Sequence, residues 1–201
     1  MRSRVPDLSR RCPGCFFPPG HCLCAVTPRV ENRIRVFMIR HSQERVRTTN
    51  SGRWAALALS RCEIVDHALE GKPLEFSRIP TTGAAVLFPS PADGIPSPLP
   101  RTLVVLDATW SQARRMLQRI PELQTLPRLS IPGILAERLR QPTVKGGMST
   151  IEALAAALDL LGDVEAARAL TRTWRLAVDR GLSLRRSTQF REAMRSGLPS
   201  P

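Results

Sequence analysis

The sequence predicts an α/β fold, a parallel sheet with flanking helices, and three observations carry that prediction. Short apolar runs recur at residues 34–39 (IRVFMI), 62–65, 84–88 (AAVLF) and 103–107 (LVVLD). They show almost no polar alternation, the pattern of parallel strands covered on both faces. Between and after them, apolar residues repeat at helical spacing, and strands alternating with amphipathic helices build layered α/β domains. No apolar run approaches the ~20 residues that cross a bilayer. No positively charged start leads into an apolar segment, so the expectation is a soluble, intracellular protein without a membrane partner.

The chain opens on a loop. Cys12, Cys15, Cys22 and Cys24 stand in the spacing C-x2-C-x6-C-x-C, among Pro13, Gly14, Pro18, Pro19 and Gly20. Four thiolates on a loop that can turn tightly suit one tetrahedral Zn2+. Disulfides are disfavoured in a reducing compartment, and an Fe–S cluster or a redox pair are the alternatives to zinc. His21 can replace a thiolate, although Cys22 lies beside it. Cys62 stands alone and reads as a buried strand residue.

The run at 34–39 is the first strand. Asn50 and Ser51 supply a cap for a helix carrying Trp54, Leu57 and Ala58 on one face. Residues 62–65 make the second strand and AAVLF the third. Five prolines between Pro89 and Pro100 mark an irregular surface loop. LVVLD is the fourth strand. Ala113, Met116, Leu117 and Ile120 then predict a helix that Pro121 stops, and Ile151, Leu154, Ala155, Leu158 and Leu161 predict another that ends at Gly162. Asp163 can cap a last helix with Val164, Ala167, Leu170, Trp174 and Val178 inward and Gly181 as its terminator.

Thirty Lys+Arg against seventeen Asp+Glu leave a net charge of +13, and all but Lys72 and Lys145 of these cations are Arg. Such a surplus points to a polyanionic partner, nucleic acid above all. Arg also matches phosphate by donating two parallel hydrogen bonds. The charge clusters at Arg2, Arg4, Arg10 and Arg11, between Arg33 and Arg53, and at Arg185, Arg186, Arg191 and Arg195. With Tyr absent and aromatics at 4%, a platform of stacked bases is disfavoured. Backbone electrostatics and shape fit better.

Two junctions read as one ligand site. In LVVLDATWSQARRM a strand runs into a helix, with Thr109 and Gln112 as a capping box and Asp107 at the strand's carboxyl end. Ligands of open α/β sheets gather at such ends. Capping alone accounts for Thr109 and core packing for Trp110. Asp107 is different, because a carboxylate ending so apolar a strand is desolvated unless something pairs with it. GGMSTIEALAAAL repeats the arrangement, with Gly146 and Gly147 allowing close backbone approach and Ser149 and Glu152 as a second capping box.

These residues carry a resemblance. LDATWSQARRM is similar to the signature of the DTW-domain family, named for an Asp-x-Thr-Trp core. The likeness extends through the four-cysteine entry, HSQERVRTTNSGR (residues 41–53), VLFPSPAD (86–93), LPRLSIP (126–132) and MSTIEALAAAL. Ala108 departs from the pattern, where Gly is more usual. The resemblance implies a tRNA-uridine aminocarboxypropyltransferase on a SPOUT-like knotted parallel sheet. Such an enzyme moves the 3-amino-3-carboxypropyl group of S-adenosylmethionine to uridine N3 and releases methylthioadenosine. It implies a zinc-binding module at 1–30, a catalytic domain at 31–182 and a basic tail at 183–201.

Asp107, Thr109 and Trp110 would be catalytic. Asp107 would be the base or orienting group for N3–H, Thr109 would hold that carboxylate or the donor, and Trp110 would wall the pocket. Leu87, Phe88, Pro89, Ser90, Leu129, Ile131, Ser149, Thr150 and Glu152 would bind S-adenosylmethionine. His41, Arg45, Arg47, Asn50, Arg53 and Arg114 would meet RNA. The expectation is a cytoplasmic monomer or homodimer acting on tRNA. RNA methylation from the same donor, or a zinc-containing RNA-binding adaptor without catalysis, are the competing readings.

Overall fold

The five strands all run parallel, in the order β2-β1-β4-β3-β5. They are β1 (Arg35–His41), β2 (Cys62–His67), β3 (Ala84–Leu87), β4 (Thr102–Asp107) and β5 (Arg128–Leu129). The computed structural model describes residues 8–68, 74–89, 94–131 and 148–195, with 187–195 as backbone alone. The helices are α1 (Ser42–Arg45), α2 (Ser51–Ala58), α3 (Trp110–Arg119), α4 (Pro121–Gln124), α5 (Thr150–Leu160) and α6 (Val164–Arg195). None of the described helices is long and apolar enough to cross a membrane.

Successive strand residues point to opposite faces, and the core divides accordingly. Val36, Met38, Ala85, Leu87, Leu103 and Val105 pack with α2, α5 and α6. Phe37, Ile39, Ala84, Val86, Val104 and Leu106 pack with α3 and α4. Burying each of Leu103, Val104, Val105 and Leu106 is worth roughly 1.5–3 kcal/mol, enough together to keep β4 central although it ends in a buried carboxylate. Asp107 shares the parity of Leu103 and Val105, so its side chain falls on the α2/α5 face, while the chain after it crosses to α3 on the other.

The cysteine loop joins the same core. Cys15, Phe17 and Leu23 are buried with Trp54. Trp54 donates from Nε1 to the Cys15 carbonyl (3.0 Å), and Arg180 of α6 donates to the carbonyls of His21 and Cys22. At the opposite end of the sheet, the Asp163 carboxylate accepts from the Ile34 amide (3.0 Å), tying the α5–α6 junction to the start of β1.

Several expectations are corrected. The last helix does not stop at Gly181 but runs unbroken to Arg195. An internal glycine costs only ~1 kcal/mol, and Leu182 and Leu184 pack against the core if the helix continues. Val164, expected inward, is 39% exposed. Pro121 ends one helix and opens the next, since its missing N–H is tolerated in a first turn. Strands β1 and β2 outlast their apolar runs because Arg40 pairs in plane with Asp66, through Nε (2.7 Å) and Nη2 (3.2 Å). Strand β5, two residues long, had no periodicity to reveal it.

Candidate active site

Strands β1 and β4 lie side by side, yet the chain leaves them in opposite directions, from β1 toward β2 and from β4 past β3 toward β5. A crevice at the carboxyl ends of such a pair is where open α/β sheets take ligands. Two helices start there. His41 accepts the Gln43 amide at Nδ1 to open α1 (3.3 Å), and Thr109 opens α3 through the expected capping box with Gln112. Gln112 Nε2 donates to Gln43 Oε1 across the crevice (2.6 Å).

Asp107 sits below this edge, 2% exposed. Asn50 Nδ2 donates to its Oδ2 (2.7 Å) and the Thr150 hydroxyl to its Oδ1 (2.7 Å). Asp107 is in no ion pair among the described residues. Burial pushes its pKa up, the bonds from Asn50 and Thr150 hold it down, and Glu44 and Arg40 act weakly in opposite senses. The result is a carboxylate held by neutral donors rather than neutralised by a cation, so it retains an appetite for a proton. Thr150, which donates to it, is itself only half-buried.

The neighbouring ends supply walls. Phe88, just past β3, meets Trp110 edge-on with ring centroids 5.8 Å apart. The Phe88 amide donates to the Leu129 carbonyl (3.1 Å), which brings Leu87, Phe88 and Pro89 beside Leu129 and Ile131. At the start of α5, Glu152 Oε2 accepts from the Ser149 amide (2.8 Å) and hydroxyl (2.5 Å), while Glu152 Oε1 is buried without a partner. Residues expected to touch a donor thus converge on one edge. Ser90, Gly146 and Gly147 lie outside the described residues.

Some expected roles change. Thr109 does not touch Asp107. Its hydroxyl is engaged with Gln112 Oε1 (2.7 Å), and the carboxylate is held instead by Asn50 and Thr150. Asn50, expected to meet RNA, is 1% exposed; its amide nitrogen serves Asp107 and its oxygen caps the Arg53 amide (2.8 Å). Arg53 donates inward to the carbonyls of Arg45 (2.8 Å) and Pro13 (3.3 Å). Arg47 pairs with Glu44 (3.0 Å) and Arg45 approaches Asp66 (3.8 Å). Arg114 is exposed on the outer side of α3. His41 has its pKa lowered by burial, with Glu44 raising it and Arg115 lowering it.

Gly52 is a further residue of the site, one that the capping pattern around it does not single out. A Cβ there would stand 2.6 Å from Asp107 Cγ and Oδ2 and 2.7 Å from Met38 Sδ, so only glycine lets α2 approach the carboxylate this closely. A glycine one residue inside a capped helix, against helix propensity, was the available signal.

The four cysteine sulfurs lie within 4.8 Å of one another, with Cys12 to Cys24 at 3.6 Å and Cys15 to Cys22 at 3.8 Å. Tetrahedral zinc with Zn–S near 2.3 Å needs sulfurs about 3.8 Å apart, so the donor set and its spacing fit that ion. The amides of Cys15 and Gly14 pull the Cys12 thiol down to about 6, whereas burial pushes the thiols of Cys15 and Cys24 up, so a bound cation would have to draw the protons from those two. Cys62, expected to be buried, is half-buried in β2, and desolvation pushes its thiol up to about 12.

Comparison with known proteins places this arrangement. The model of the family described as DTW domain matches residues 9–182. The chain is similar to tRNA-uridine aminocarboxypropyltransferase 2 of Drosophila melanogaster, at 25% identity over 171 residues that cover 78% of this chain and 68% of that protein. No solved structure gives a significant match.

Proposed function

This chain belongs to the DTW-domain family, and from that premise and the geometry of its site we propose that it modifies tRNA, moving the 3-amino-3-carboxypropyl group of S-adenosylmethionine to N3 of a uridine. The observation that carries the reading is Asp107, buried at the crevice and bonded, among the described residues, by Asn50 and Thr150. Uridine N3 is a poor nucleophile until its proton leaves. An ordinary Asp, with a pKa near 3.9, is a weak base for it, and burial strengthens this one.

Thr150 stands where the proton must pass. Its hydroxyl already donates to Asp107 Oδ1, so its oxygen accepts the N3 proton as its own moves to the carboxylate. N3 then bonds to the terminal carbon of the aminocarboxypropyl arm. The C–S bond breaks with its electron pair kept on sulfur, and the sulfonium leaves as neutral methylthioadenosine. All carbons on a sulfonium are electrophilic, so selecting this arm is a matter of orientation.

Phe88, Trp110, Leu87, Leu129 and Ile131 wall the apolar part of the donor. The amides opening α5 at Thr150 face its carboxylate, and the unpartnered Glu152 Oε1 accepts from its ammonium. The four-cysteine knuckle holds structural zinc. Exposed arginines such as Arg114 meet tRNA phosphate. A SPOUT-like knotted frame and a cytoplasmic setting complete the proposal.

The test is incubation of the protein with tRNA and S-adenosylmethionine, followed by nucleoside mass spectrometry. Addition of the aminocarboxypropyl group with equal release of methylthioadenosine is expected. A methylated nucleoside with S-adenosylhomocysteine would replace this reading with methyl transfer. Tight tRNA binding without any affinity for the donor would leave a non-catalytic adaptor.

A further inference from the structure

We propose that the cysteine knuckle braces Asp107 through α2, with Arg53 as the positioning residue that joins them. The inference rests on Asp107 being the proton acceptor and goes beyond it in giving the knuckle a part in the reaction. The connection is continuous. Arg53 lies with its guanidinium 3.6 Å over the Phe16 ring and donates to the Pro13 carbonyl (3.3 Å), both in the knuckle. The amide of the same residue donates to Asn50 Oδ1 (2.8 Å), and Asn50 Nδ2 donates to Asp107 Oδ2 (2.7 Å). One residue therefore grips the knuckle with its side chain and the holder of Asp107 with its backbone.

The same turn is pinned a second time. Trp54 donates to the Cys15 carbonyl (3.0 Å) and its ring lies between Phe17 (5.5 Å) and Trp174 (6.1 Å). On its other side the turn carries Gly52, with no room to slide toward Asp107. A helical turn is stiff, so displacement on the knuckle side is passed to the carboxylate side.

The knuckle is shaped for this at some cost. Phe16 holds φ at 63°, a left-handed backbone that a bulky residue seldom adopts. The bonds from the Phe16 amide to the Cys12 carbonyl (2.9 Å) and from the Cys12 amide to the Phe17 carbonyl (2.9 Å) keep it there. That conformation presents the ring to Arg53. Arg53 in turn leaves Nε buried without a partner, a penalty that persists only where surrounding contacts over-determine the position.

Two variants of the full chain test the brace without touching the thiolates, Asn50 or Asp107. Arg53→Met removes the guanidinium from the α2 side, and Phe16→Ala removes its seat from the knuckle side. Hydrogen exchange is followed in α2 with α3 as internal reference, alongside single-turnover transfer and tRNA affinity across a salt series. In each variant α2 amides should exchange about tenfold faster with α3 unchanged. Transfer should slow about ten- to a hundredfold with tRNA affinity and its salt slope unaltered.

Unchanged exchange in α2 for both variants overturns the brace, and so does equal acceleration in α3. A loss of tRNA affinity with α2 still protected overturns it too, and makes Arg53 an RNA contact. The exchange measurement does not involve the reaction, so it stands apart from the role of Asp107. An Asp107→Asn protein that transfers at the wild-type rate would overturn that role while the exchange data still judge the brace.

Discussion

Gly52→Ala isolates the geometry of the site from its chemistry, because it adds one methyl group and removes nothing. That methyl would stand 2.6 Å from Asp107 Cγ and Oδ2 and 2.7 Å from Met38 Sδ. Carbon contacts are comfortable at ~3.5–4.0 Å, so either the carboxylate or the start of α2 must yield by about 1 Å. Asp107 cannot yield freely, since moving it stretches the bonds from Asn50 and Thr150. Overpacking of this kind costs ~1–3 kcal/mol, against which alanine's helix propensity returns up to ~1 kcal/mol. With the full return, a net loss of about 0–2 kcal/mol lowers the melting temperature by at most about 8 °C in a chain of this size. A 1 Å misplacement at a reacting group costs on the order of a hundredfold in rate. Thermal denaturation and single-turnover transfer, measured together, should show a nearly stable protein that has lost most of its rate. Wild-type rate in Gly52→Ala would mean that the position of Asp107 does not limit the reaction.

If Thr150 passes the proton, Thr150→Ser should transfer near the wild-type rate and Thr150→Val should lose roughly 10²–10⁴-fold; equal loss in both would assign Thr150 to donor binding instead. The raised pKa of Asp107 has a sign in stability. Its contribution is fully present below the unfolded value near 3.9 and is lost as pH rises through the higher folded value. The stability of wild type relative to Asp107→Asn should therefore decline as pH rises above about 4, which urea titrations at several pH values would show. Cys12→Ser should lower zinc below one ion per chain by elemental analysis and loosen the N-terminal loop; unchanged stoichiometry would contradict a four-thiolate site. Binding to tRNA should weaken by roughly 0.7–0.9 log units per decade of salt for each phosphate contacted, and a flat response would leave the arginine surplus without that partner.

What the sequence disclosed follows from how local each signal is. Both capping boxes are formed by residues three apart and were legible as spacing, as was the four-cysteine loop. The runs behind β3 and β4 were legible because burial on both faces excludes polar residues. The extension of β1 through Arg40 depends on Asp66 in the neighbouring strand, and no local pattern contains that pairing. Asn50 was legible as a cap through its oxygen, but the use of its nitrogen is set by a carboxylate 57 positions away. Gly181 looked like a terminator because a C-cap glycine and a helix-interior glycine are the same letter; contacts made by Leu182 and Leu184 distinguish them. Composition gives a basic surplus, yet it cannot separate arginines facing solvent from those, like Arg53, turned inward.

Helix α6 has one more consequence. At 1.5 Å per residue its 32 residues extend about 48 Å, more than twice the ~20 Å of a six-residue strand such as β4. It leaves the far rim of the sheet at Asp163, meets the knuckle at Arg180 and continues about 22 Å further. A flexible extension would sweep through a volume, whereas a helical spar holds its tip at one distance from the crevice. The basic end of this chain is therefore placed like the arm of a caliper, with its span measured out in helical turns, and shortening that span by whole turns should alter reach without altering charge at the crevice.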